Sequence, residues 1–187
     1  MSMPLDETFV DGGLVYEGHF LKVARDRIAL PDGKETYREY IKHPGAVVIL
    51  PLLADGSVLL ERQFRYPLHQ VFVEFPAGKI DAGEASLACA MRELQEETGY
   101  TATQWDFVCT IHNAIAYSDE HLDLYLARGL VAGPAKLDDG EFLELITASL
   151  PDMLAMVRDG RITDVKTVIG TFWLEKFLNG SWTPGPA

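Results

Sequence analysis

One stretch constrains this chain more than any other: Gly78-Lys-Ile-Asp-Ala-Gly-Glu84 leads through residues 85–91 into Arg92-Glu93-Leu94-Gln95-Glu96-Glu97-Thr98-Gly99-Tyr100. Leu87, Met91, Leu94 and Thr98 recur at helical spacing, which predicts a helix over residues 84–98 with one packing stripe, ended by Gly99. On such a helix Glu93, Glu96 and Glu97 fall within an arc of roughly 100°, opposite the apolar stripe. One face packs while the other presents carboxylates. Such a cluster is unfavourable alone, because like charges raise one another's pKa, and becomes favourable when hard divalent cations take oxygen ligands. The competing reading is a solvated acidic face, which explains a lone Glu-Glu pair but not the whole spacing.

The residues around the cluster have expected parts too. Arg92 is expected to turn aside and hold a carboxylate in place, which its planar fork does better than Lys. Gly78 and Gly83 permit a tight entry loop, so that the Ala77 carbonyl can approach bound ions and Glu84 can reach the carboxylate face.

Around this segment the chain reads as one main domain, since 187 residues can bury one sizeable core but not two full ones. Residues 1–43 read as a meander: residues 13–24 are strand-like, and Pro31-Asp32-Gly33 turns between residues 27–30 and 35–42. After His43-Pro44-Gly45, residues 44–187 form the main domain. It opens with a hairpin across Asp55-Gly56 and continues with strands over 71–75, 105–112 and 121–127, the last with Leu122, Leu124 and Leu126 on one face. Ser149 and Asp164 are placed to cap two further helices, the second closing at Gly180, and the tail 183–187 is Pro/Gly-containing. The expected fold class is α/β (α+β), a mixed sheet between helices plus a small N-terminal antiparallel sheet.

Charge narrows the partners. Sixteen basic against 28 acidic residues give −12, which repels nucleic acid and anionic membranes. A polyanionic substrate would then need bound cations at its site. Only Cys89 and Cys109 are present, so a disulfide framework and a cysteine zinc site both lack material. No basic start with an apolar run opens the chain and no apolar stretch is long enough to span a membrane, so a soluble, cytoplasmic protein is expected.

Residues 78–100 resemble the Nudix box, with every specified position filled and Tyr100 at its final apolar site. Further segments, Gln63-Phe64-Arg65-Tyr66-Pro67, Glu74-Phe75-Pro76-Ala77-Gly78, Ser118-Asp119-Glu120 and Gly140-Glu141-Phe142, are similar to the ADP-ribose pyrophosphatase branch of that family. The resemblance implies a Nudix α/β/α sandwich and Mg²⁺, with Mn²⁺ as a substitute, on Ala77, Glu93, Glu96 and Glu97. It implies hydrolysis of a nucleoside diphosphate sugar, with ADP-ribose first. It also implies a homodimer that exchanges its N-terminal sheet.

Glu141 matches the family's distant general base, ahead of Glu120 and Glu144, and joins Glu93, Glu97 and Arg92 as a catalytic residue. Without the family, Asp138-Asp-Gly-Glu141 is an acidic surface turn. Arg65 and Glu74 are taken as substrate-binding, Arg65 because a guanidinium at a strand end can clamp a phosphate; a plain surface Arg is the alternative. Tyr37 or Tyr40 can stack on a base, although strand aromatics more often serve the core.

The chain departs from the branch at Asn113-Ala114-Ile115-Ala116-Tyr117, where a Ser-Pro-Gly-like tripeptide is common. That keeps GDP-mannose, ADP-glucose and dinucleoside polyphosphates in play. A non-catalytic nucleotide-sugar-binding module would predict broken carboxylates, and an RNA-decapping enzyme a basic groove; the chain shows neither.

Overall fold

The computed structural model describes residues 5–137, 140 and 142–187. The chain forms two compact units, one built on the residues up to Gly45 together with His112–His121, the other on Ala46–Ile111 and Leu122–Ala187.

In the first unit β1 (Thr8–Glu17), β2 (Lys22–Ala29) and β3 (Glu35–Lys42) make an antiparallel sheet in that order. The run 13–24, read as a single strand, is broken by a turn in which the Gly18 N–H donates to Leu21 O at 2.8 Å. Strand-like composition alone could not reveal that reversal, because it is set by pairing. The β2–β3 turn falls at Gly33, whose φ of 83° suits glycine. Asp11 and Glu35 both pair with Arg27 across the three strands. Residues 112–121 join this unit through the Ile41 N–H, which donates to Tyr117 O at 2.9 Å.

The second unit runs β4 (Ala46–Pro51), β5 (Val58–Arg65), β6 (Gln70–Glu74), β7 (Ala77–Lys79), α1 (Ser86–Thr98), β8 (Tyr100–Ile111) and β9 (Leu122–Ala132). It ends with β10 (Leu143–Ala148), α2 (Leu150–Arg158), α3 (Val165–Leu178) and β11 (Gly185–Pro186). One sheet has the order β11-β8-β9-β4-β7, and the other β10-β5-β6. β4 and β9 are parallel while their neighbours are antiparallel, so the larger sheet is mixed.

Alternation along β4 explains the layering. Val47 and Ile49 point to α1, where they pack with Cys89, Ala90 and Leu94. Val48 and Leu50 point to the other face, among Leu124, Leu126, Met153 of α2 and Leu174 of α3. Both faces are covered by helices, which makes an α/β/α sandwich.

The helix ends follow local chemistry. Gly99 ends α1 with φ 74°. The Ser149 hydroxyl accepts from Asp152 N–H at the start of α2, and the Asp164 carboxylate accepts from Thr167 N–H at the start of α3. The packing stripe of α1 differs from the expected one: Met91 is 48 % exposed, and the small Cys89 and Ala90 are buried instead. Small side chains let the helix backbone approach the sheet closely, which rotates the long Met outward. The Pro/Gly-containing tail supplies β11, paired with β8 through Gly185–Phe107 and Pro186–Asp106. No helix among the described residues is long and apolar enough to cross a membrane.

Candidate active site

The carboxylate face of α1 is organised around Arg92. Its Nε and Nη2 donate to the two oxygens of Glu84, at 2.9 and 2.8 Å. Its Nη1 donates to Glu93 at 2.8 Å and to Glu96 at 2.9 Å. One guanidinium thus gathers three carboxylates, one from the entry loop and two from the helix. The hydrogen bonds to Arg92 hold Glu84 far below its ordinary range, at about 2, while the guanidinium itself is pushed up. Burial, reinforced by the charge of Glu84, drives the neighbouring Cys89 thiol up to about 12, so it remains protonated at neutral pH.

β7 approaches this face from the sheet side. A Cβ at Gly78 would lie 1.8 Å from Glu93 Cδ, so only glycine leaves room for that carboxylate. Glu97 accepts a hydrogen bond from Ala77 N–H at 3.1 Å. Although it lies opposite the expected apolar stripe, Glu97 is only 4 % exposed. A carboxylate so enclosed has to be hydrogen-bonded, and the backbone of β7 supplies that partner.

Among the described residues, no three His, Cys, Asp or Glu side chains converge as a ready-made metal cage. Glu93 and Glu96 instead converge on Arg92, whose positive charge offsets their mutual repulsion. The donor chemistry still fits a hard divalent cation. Glu93, Glu96, Glu97 and the Ala77 carbonyl offer oxygen only, and Gly78 leaves a cradle beside Glu93 that a side chain would fill.

A cleft of about 460 Å³ lies in the same unit, and its lining includes Arg65, Gln70, Phe72, Glu74, Asp164 and Lys166. Arg65 holds Glu74 in a bidentate pair, Nε to Oε1 and Nη2 to Oε2, both at 2.8 Å. Lys166 donates to the same carboxylate. Burial acts most strongly, to raise the Glu74 pKa, but the Arg65 hydrogen bonds and the Lys166 charge outweigh it and hold the carboxyl below its usual range. Glu74 is therefore engaged by protein cations. Lys166 was not foreseen; its signal was Asp164-Val-Lys-Thr167, a capped helix start carrying a cation in its first turn.

Glu141 lies outside the described residues. Glu144 of β10 pairs with Arg62 of β5 at 2.7 Å, both side chains being exposed. In the first unit Glu120 lies 3.7 Å from His43 and accepts from Asn113 at 3.4 Å. Tyr40 donates its hydroxyl to Asp26, and Tyr37 carries the Arg25 guanidinium over its ring at 4.3 Å.

Comparison with known proteins adds to this geometry. Residues 42–164 match the family model described as NUDIX domain. A methanol dehydrogenase activator from Bacillus methanolicus is 34 % identical over 177 residues, spanning 94 % of this chain and 96 % of that one. An ADP-ribose pyrophosphatase from Bacillus subtilis is 35 % identical over 173 residues, spanning 91 % and 94 %. A crystal structure of an ADP compounds hydrolase shares the fold with a TM-score of 0.86 at 24 % identity, covering 96 % of this chain and 98 % of that one.

Proposed function

The chain belongs to the NUDIX domain family, and from that premise we propose that it hydrolyses the phosphoanhydride of ADP-ribose to AMP and ribose 5-phosphate. The observation that carries the proposal is the collection of Glu84, Glu93 and Glu96 on Arg92, with Glu97 fixed on the Ala77 N–H of the adjoining strand. The name of the Bacillus subtilis relative, which matches over nearly its whole length, supports ADP-ribose as the substrate.

Glu93, Glu96, Glu97 and the Ala77 carbonyl would hold Mg²⁺, or Mn²⁺ in its place, which when bound supplies charge neutralisation at the phosphoryl groups and lowers the pKa of water. The chain's own residues do the rest. Arg92 orients its carboxylates through hydrogen bonds to Glu84, Glu93 and Glu96. Arg65 meets a substrate phosphate, and Glu74 fixes the plane of its guanidinium. Glu141, assigned by resemblance, accepts the proton of the attacking water.

Residues 44–187 form the hydrolase domain in this reading, and residues 1–43 a dimerising sheet in a cytoplasmic homodimer. Every residue of β1 is exposed, among them Phe9, Leu14, Val15 and Tyr16, which is consistent with a strand covered by a second copy.

The test is a panel of ADP-ribose, GDP-mannose, ADP-glucose and diadenosine polyphosphates, each incubated with Mg²⁺ and analysed for products. AMP with ribose 5-phosphate, formed from ADP-ribose in preference to the others, is expected. Preferred cleavage of another compound would reassign the substrate, and no turnover of any would favour a nucleotide-sugar-binding module.

A further inference from the structure

Lys166 is a buried cation that the proposed chemistry does not use. Its side chain is 10 % exposed, at the start of α3. One of its protons goes to Glu74 and another to Asp164 Oδ2 at 3.0 Å. Asp164 in turn accepts from the N–H and hydroxyl of Thr167, at 3.0 and 2.6 Å. The Thr167 hydroxyl oxygen accepts from Phe75 N–H at 3.0 Å, immediately after Glu74. The ammonium is therefore anchored to a helix start that is itself tied to the strand carrying Glu74.

The other end of the relay is Arg65. Nε and Nη2 are committed to Glu74, while Nη1 has no hydrogen-bond acceptor among the described residues. The Arg65 side chain is 42 % exposed and lines the cleft, so this free edge is available to an anion. Lys166 lines the same cleft but is only 10 % exposed and directs two of its three donors to Glu74 and Asp164, so the outward edge of Arg65 is the more accessible to an anion.

We propose that Lys166 is a positioning residue for phosphate recognition: acting through the shared Glu74 carboxylate, it sets the guanidinium of Arg65 with one edge locked and the other presented to the cleft. This rests on the reading of Arg65 as a phosphate-binding residue. With Lys166 present, two cations share Glu74 and Asp164, and the charge of the buried Glu61 also acts on Arg65. Without it, both carboxylates compete for Arg65 alone and draw the guanidinium inward, away from the substrate.

The experiment compares Lys166→Met with the wild type in Mg²⁺ and ADP-ribose. KM is expected to rise about tenfold with kcat changed less than about twofold, the pattern of lost uniform binding. In an Arg65→Ala background the same substitution should change KM less than about twofold, since nothing remains for Lys166 to position. Equal effects in both backgrounds, or a fall in kcat alone, would overturn the proposal. Should Lys166→Met fail to fold, Lys166→Gln, which keeps a donor for Glu74 without the charge, carries the same comparison.

A second readout needs no turnover. The NMR resonances of the Arg65 Nε–H and Nη groups should shift in Lys166→Met, and unchanged positions would overturn the proposal. An inert wild type would instead fail the substrate assignment, leaving the NMR comparison to decide the role of Lys166.

Discussion

Gly78 and Glu93 occupy almost the same space: a Cβ on the first would fall 1.8 Å from Cδ of the second. The glycine sits in β7 opposite Val47, and the glutamate sits on the helix packed against that strand. Close approach of backbone and carboxylate is what positions Glu93 beside the Gly78 backbone.

Gly78→Ala is therefore expected to displace Glu93 without unfolding the domain, because the clash is with the end of a flexible side chain. Activity should fall by about 10²-fold, as for a reacting group misplaced by an ångström or so. Thermal unfolding should change by no more than about 1 kcal/mol. Steady-state kinetics beside a melting curve checks both. A variant with wild-type kcat would show that the position of Glu93 is immaterial.

Arg92 gives a prediction in pH. The hydrogen bonds from Arg92 hold Glu84 at about 2 in the fold, against 4.5 for the free group. A depressed carboxyl pKa contributes stability that is complete above pH 4.5 and is lost as pH falls toward about 2. Carboxyl NMR should find the Glu84 titration near the lower value, and Arg92→Lys should move it back toward 4.5, because an ammonium cannot reproduce the bidentate fork. A wild-type midpoint already near 4.5 would contradict the Arg92–Glu84 lock.

The two general-base candidates Glu141 and Glu144 separate cleanly. Glu141→Gln should lower kcat by about 10² to 10⁴-fold if it is the general base. Glu144→Gln, which loses only an exposed pair with Arg62, should leave kcat within about twofold. A reversed order in a kinetic comparison of the two variants would move the base to Glu144.

Much of this arrangement could be read before folding, because it depends on local rules. Gly99 ends α1, Ser149 and Asp164 cap α2 and α3, and Leu122, Leu124 and Leu126 line one face of β9, since caps and alternation are set by neighbours in sequence. What escaped depends on distant partners. Met91 fits the apolar stripe, yet the sheet selects Cys89 and Ala90. Glu97 looks solvent-facing until Ala77, twenty residues earlier, supplies an N–H to bury it against. Arg65 reads as a free clamp because its partner Glu74 and the sharing cation Lys166 lie on other elements. The tail 183–187 reads as featureless because β8 lies some eighty residues away.

Glu97→Gln tests the central claim most directly. Glutamine keeps an oxygen for the Ala77 N–H, so the fold should survive, while the negative charge is lost. With ADP-ribose and saturating Mg²⁺, kcat should fall by at least about 10²-fold at a nearly unchanged melting temperature. A folded variant that cleaves ADP-ribose as fast as the wild type would remove Glu97 from the chemistry and, with it, the reading of α1 as the catalytic helix.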